Sequence, residues 1–168
     1  CTNAELFDAI AGESLTKVMN FKPQEMSNLL WAYATVAICP PRLFAAILDA
    51  ADGQLESFTP RNLSNMVWAM ATCSLYEAAH LHSIARQAGG KLACFKAQEL
   101  SNLLWACATL RHGGEALPRA VAEEALAKQE SLTAQHLSNL VWALAKLAAR
   151  HGPFLEAAAQ RAVAGAEG

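Results

Sequence analysis

The sequence predicts an all-α protein, a right-handed α-solenoid of two-helix, 37-residue repeats. One phrase recurs four times, as MSNLLWAYATV, LSNMVWAMATC, LSNLLWACATL and LSNLVWALAKL. Its tryptophans, Trp31, Trp68, Trp105 and Trp142, follow one another at equal intervals of 37 residues, and a fixed period of about 20 to 50 residues is the signature of a stacked array. Within the phrase, apolar residues fall at i, i+3, i+4 and i+7, as in Met26, Leu29, Leu30 and Tyr33, which is helical spacing. No alternation of Val, Ile and Thr suggests strands. Other positions keep the same register: Phe21, Phe58, Phe95 and Leu132, and likewise Ile10, Ile47, Ile84 and Val121.

Residues 1–168 read as a single helical-repeat domain. Residues 1–20 form a half repeat, because 4–14 matches the second helix of the later units. Full repeats follow at 21–57, 58–94, 95–131 and 132–168. The first helix of each unit, helix A, is expected at 23–37, 60–74, 97–111 and 134–149. Thr59 and Thr133 can cap it, and Pro23 and Pro60 suit the first helical position. It breaks near Cys39-Pro40-Pro41, Leu75, His112-Gly113-Gly114 and His151-Gly152-Pro153. The second helix, helix B, is expected at 41–52, 77–88, 115–128 and 153–164, with Asp52-Gly53 and Gly89-Gly90 marking two of its ends. An opening half unit with unpartnered Leu6, Phe7 and Ile10 predicts a fragment of a longer protein.

On a helical wheel the Met26–Tyr33 stripe faces helix B, and Gln24, Asn28, Trp31 and Thr35 lie opposite. Trp31 sits toward one neighbouring A helix and Ala32 toward the other. The tryptophans, Trp68 and Trp105 above all, are therefore expected to be mostly buried as knobs between repeats; the competing reading makes them stacking platforms for bases. A residue that is the same in every unit does the same job in every unit. The repeated Ser27-Asn28, Ser64-Asn65, Ser101-Asn102 and Ser138-Asn139 pairs are either an inter-helix hydrogen-bond ladder or contacts to a uniform ligand backbone. Readout positions must vary and stay polar. Three sets do so: Gln24, Arg61, Gln98 and Gln135; Glu25, Asn62, Glu99 and His136; and Thr35, Thr72, Thr109 and Lys146. The first two sets and Lys146, together with Asn28, Asn65, Asn102 and Asn139, make up the candidate RNA-contacting face, with Arg61, Lys146, Lys22 and Lys96 as its phosphate contacts; the competing reading of the variable positions is plain solvent exposure.

Several function classes are excluded or disfavoured. The hydrophobic share of 54% excludes a disordered chain. No run approaches the roughly 18 to 20 apolar residues of a membrane span. The net charge of −2 supplies no global field for a polyanion and favours a protein-interaction scaffold. Gly89-Gly90-Lys91 lacks the spacing of a phosphate loop. His80 and His82, two apart on a helix, point to different faces, so no metal is expected. No carboxylate pair forms an acid–base couple. The reading is non-enzymatic, with no cofactor and no small-molecule substrate. Five cysteines without C-x-x-C spacing suggest neither a disulfide framework nor a zinc site. Cys73 and Cys107 read as small core residues in a reducing compartment.

The block FTPRNLSNMVWAMAT, residues 58–72, resembles the helix A signature of octotricopeptide-type repeats. The 37-residue period is similar to that of the related heptatricopeptide repeats, and arrays of this kind also accompany FAST kinase-like and RAP domains; no RAP domain is visible in this chain. The resemblance spans nearly the whole chain. It implies an α-solenoid binding single-stranded organellar RNA, in mitochondria or plastids, during rRNA or transcript processing or assembly, with ribosomal or RNA-processing proteins as further partners.

Overall fold

A computed structural model describes residues 3–112 and 114–166, which form helices α1 (Asn3–Lys17), α2 (Pro23–Thr35), α3 (Pro41–Asp52), α4 (Pro60–Thr72), α5 (Ala78–Gly89), α6 (Ala97–Thr109), α7 (Ala116–Ala127), α8 (Ala134–Lys146) and α9 (Gly152–Ala166). No strand occurs among the described residues. Cys1 and Gly113 lie outside them, as do the last two residues of the expected 132–168 unit.

All four A helices, α2, α4, α6 and α8, begin on the expected residue. Pro23 and Pro60 occupy first-turn positions where a missing N–H costs nothing. Each A helix closes two to three residues before its expected end, for a reason the composition hides. Ala37, Ser74, Arg111 and Ala148 adopt φ of 56°, 53°, 53° and 53°. The N–H beyond each left-handed residue reaches back to an orphan carbonyl: Ile38 to Tyr33, Leu75 to Met70, His112 to Cys107 and Ala149 to Leu144, at 3.1, 2.9, 2.8 and 2.9 Å. Glycine is the usual residue at such a stop, and none of the four is glycine. A 3₁₀ turn before each A helix (Val18–Asn20, Leu55–Ser57, Leu92–Cys94 and Gln129–Ser131) keeps the same interval and was not evident from composition.

Packing forms two layers. The A helices contact one another in the order α2, α4, α6, α8; α1, α3, α5, α7 and α9 do the same, and each A helix also touches the B helix that follows it. The core lies between the layers. Met26, Leu30 and Tyr33 of α2 are buried, as are Leu63, Met66 and Met70 of α4 and Leu100, Leu103 and Cys107 of α6. Phe58 and Phe95 are fully buried ahead of α4 and α6. At about 25 cal/mol per Å², each such ring contributes on the order of 2 to 3 kcal/mol. At the N-terminal end Leu6 and Ile10 are exposed, whereas Phe7 packs edge-on against Tyr33 at 5.0 Å and its carbonyl accepts the Tyr33 hydroxyl at 2.5 Å. Burial is the main cause that raises the Tyr33 phenol above its ordinary value, with Asp8 second.

The cysteine reading needs correction. Cys39 and Cys73 form a disulfide, with Cα atoms 5.7 Å apart. Both fall between an A helix and the next B helix, and the packing of α2 on α4 and of α3 on α5 brings the two connections side by side. Cys73 is therefore a cross-link and not a reduced core residue. Cys107 is the buried free thiol, its pKa pushed up to about 12 by burial.

Basic side chains also join successive units. Lys91 Nζ donates to the carbonyls of Glu56 and Phe58 at 2.6 and 3.1 Å. Lys128, one period later, donates to those of Ala93 and Phe95 at 2.7 and 2.8 Å. Arg161 on α9 holds the carbonyls of Gln129 and Leu132. Three of the 13 lysines and arginines thus serve backbone carbonyls at the start of an A helix and in the 3₁₀ turn before it.

Candidate nucleic-acid interface

The polar side of the A layer divides into residues committed to the fold and residues left open. The varied set Glu25, Asn62, Glu99 and His136 stands at the third position of its helices and faces the cap. Glu25 and Glu99 accept the Lys22 and Lys96 backbone N–H at 2.7 and 2.8 Å. Asn62 Oδ1 and His136 Nδ1 accept those of Thr59 and Thr133 at 3.1 and 3.2 Å, and the threonine hydroxyls return the bond. This is a reciprocal capping box. Asn62 is buried besides, and its amide donates to Ser27 Oγ of α2 at 2.9 Å. These residues vary because several acceptors can close the same cap. Burial lowers the His136 pKa, which keeps the ring in the neutral form that can accept the Thr133 N–H.

Thr35 and Thr109 are likewise committed. Their hydroxyls donate to the Trp31 and Trp105 carbonyls at 2.8 and 2.9 Å. The expected Ser-Asn ladder takes a different form. Ser27, Ser64 and Ser101 are buried, and Ser138 is exposed. Among the described residues the one cross-helix bond to a motif serine runs from Asn62 to Ser27, so the cap residue fills the place expected for the motif asparagine. Ser101 Oγ is buried with no partner among the described residues.

The motif asparagines remain open. Asn28 is exposed, Asn65, Asn102 and Asn139 are half-buried, and among the described residues no side-chain hydrogen bond engages them. A groove of about 600 Å³ crosses α2, α4 and α6. Asn28, Asn65 and Asn102 line it with Trp31, Arg61 and Lys96, and Gln98 and Glu99 also border it. Arg61 and Lys96 are exposed, and the ion pairs among the described residues do not include them. Gln24 and Gln135 are exposed but do not line the groove; neither does Asn139. Lys146 lies 6.0 Å from the Trp142 ring centroid and also stands outside it.

Tryptophan burial follows position in the row. Trp68 and Trp105, on helices with an A neighbour on each side, are half-buried against the core. Trp31 and Trp142, on α2 and α8, are 45% and 44% exposed. The expectation of mostly buried inner rings is met in part. The Trp31 ring is open to the groove.

No family model matches the chain, and no curated protein sequence matches it. No helix among the described residues is long and apolar enough to cross a membrane.

Proposed function

We propose that the chain is a right-handed α-solenoid of 37-residue repeats that binds single-stranded RNA, without catalysis, along its A-helix groove. The recurrence of helix starts, 3₁₀ turns and left-handed stops at one interval supports the architecture. A single observation carries the function. One continuous groove brings together an open indole, three asparagine amides with no side-chain hydrogen bond among the described residues and two exposed cations outside the ion pairs of those residues. Indole faces stack on bases without regard to sequence, cations hold phosphates, and amides pair with base edges. The resemblance to octotricopeptide-type repeats points to organellar RNA.

The test is a titration of pooled single-stranded RNAs followed by Trp fluorescence at several salt concentrations. Two phosphate contacts on a single strand give a log–log salt slope of about −1.4. Replacing Arg61 and Lys96 with Ala flattens that slope for all sequences alike, and Trp31→Ala removes most of the fluorescence response. The net charge of −2 favours a second reading, a protein-interaction scaffold. Undetectable RNA binding at low salt would leave that reading in place.

A further inference from the structure

The repeat supplies its own internal comparison, and the junction between units 58–94 and 95–131 departs from it. A cleft of about 630 Å³ opens between α5, α7 and the segment that follows α6. Its floor is apolar, made by Ala85, Leu117 and Ala120. Four basic or imidazole side chains border it: His82 and Arg86 from α5, and Arg111 and His112 from the end of α6. No carboxylate lines it; the nearest acidic residue in sequence is the exposed Glu115. The His82 and His112 rings meet edge to face, with centroids 6.0 Å apart.

Three of the four, His112, Arg111 and Arg86, depart from their equivalents. Where the other units carry Ile38, Leu75 and Ala149, this one carries His112. That position normally closes an apolar contact after a left-handed helix stop. Arg111 occupies a position with φ of 53°, where Ala37, Ser74 and Ala148 stand elsewhere. Arg86 replaces an acidic residue found in two units, Asp49 and Glu123, whereas the equivalents of His82 are Ala45, Arg119 and Glu156, so a basic side chain recurs there once. Packing alone does not account for four cation-forming side chains converging on one apolar cleft.

We propose that this cleft binds a phosphate monoester whose organic part is apolar or aromatic. Two guanidinium forks match the phosphate oxygens. The imidazoles add donors on the same side, and the alanine–leucine floor takes the organic group. Burial first, and the charge of His82 second, lower the His112 pKa; a bound dianion reverses the second cause. The site shares no residue with the A-face groove, so it stands or falls independently of RNA binding.

Phenyl phosphate is the probe, with inorganic phosphate and benzoate as partial ligands. It is titrated by calorimetry and by the histidine Cε1–H resonances. The expected result is binding of phenyl phosphate near or below about 1 mM, at least about tenfold tighter than either partial ligand. The His82 and His112 resonances move together, and those of His136 and His151 stay in place. R86Q and R111A install residues that other units already carry at those positions, Gln160 and Ala37 or Ala148. Their fold is therefore preserved, and the pair weakens binding by about tenfold or more. R61A with K96A leaves it unchanged. Absence of binding at about ten times that concentration would overturn the proposal, as would equal affinity in the R86Q/R111A protein or histidine shifts spread over all five rings.

Discussion

Helices α4 and α6 carry the same motif as α2 and α8, yet the motif meets different surroundings. In the inner pair an A helix packs on each side, the tryptophans are half-buried, and Ser64 and Ser101 are sealed. In the outer pair one side is open; Trp31 and Trp142 are nearly half exposed, and Ser138 is exposed, although Ser27 of α2 stays buried under the Asn62 amide. An identical phrase therefore makes a packing knob in one place and an accessible ring in another. The neighbour decides which, so the two readings of the tryptophan are positions along one row.

Four measurements can break or sharpen this comparison. The largest effect belongs to the first junction, which alone among the described residues carries a cross-link; Tyr76 and Leu110 occupy the equivalent positions at the next one. Reduction, or replacement of Cys39 and Cys73 with Ala, should lower the unfolding free energy by about 3 to 4 kcal/mol in the chain-entropy account of a loop of this size. Urea titration with and without reductant reads it, and an unchanged midpoint would mean the bond does not form in solution. Next, Trp105→Ala should cost about 2 to 3 kcal/mol, short of the value for a fully sealed ring, whereas Trp142→Ala should cost under about 1 kcal/mol. Equal costs would erase the distinction between inner and outer helices.

A third effect concerns pH. His112 and His136 have pKa values lowered by burial, so the unfolded chain takes up their protons first as pH falls. Their contribution is full above about pH 6.5 and is lost as pH drops from there toward the lowered folded values. In H136N, which installs the residue of the inner helix α4 at the α8 cap, thermal stability should fall less between pH 7.5 and 5.5. The smallest effect should be common to inner and outer units. Ala37→Gly and Ser74→Gly each relieve a left-handed non-glycine residue, raising stability by about 0.5 to 1 kcal/mol. Loss of stability in either variant would show that the side chain there contributes more than its backbone strain costs.

The period made the helices and their starts legible, because a regular apolar stripe and a capping residue leave a direct mark on composition. The helix ends were less so. Ala37, Ser74, Arg111 and Ala148 stop their helices with no glycine to announce it. The candidate face was half legible. Asn28, Asn65, Asn102 and Arg61 do meet in one groove. Glu25, Asn62, Glu99 and His136 varied as readout residues would, but a helix cap accepts any of them. Lys91 and Lys128 resembled surface cations, since nothing local distinguishes a lysine that will find carbonyls 33 to 36 residues away. The Cys39–Cys73 pair had no motif because its spacing is set by stacking.

Those lysine links have a consequence for how the molecule can be lengthened or shortened. Bonds between units, such as those from Tyr33 to Phe7, Asn62 to Ser27, Lys91 to Glu56 and Lys128 to Ala93, span 26, 35, 35 and 35 residues. Each falls short of one full period, so each is local to a single junction. Excising residues 95–131 would bring the turn at Leu92–Cys94 directly before Leu132 and α8, with the Cys39–Cys73 link untouched and only one kind of contact to re-form. If the chain is the solenoid proposed above, it is modular by arithmetic: gain or loss of one 37-residue cassette would change the reach of the groove in steps without asking the remaining junctions to be redesigned.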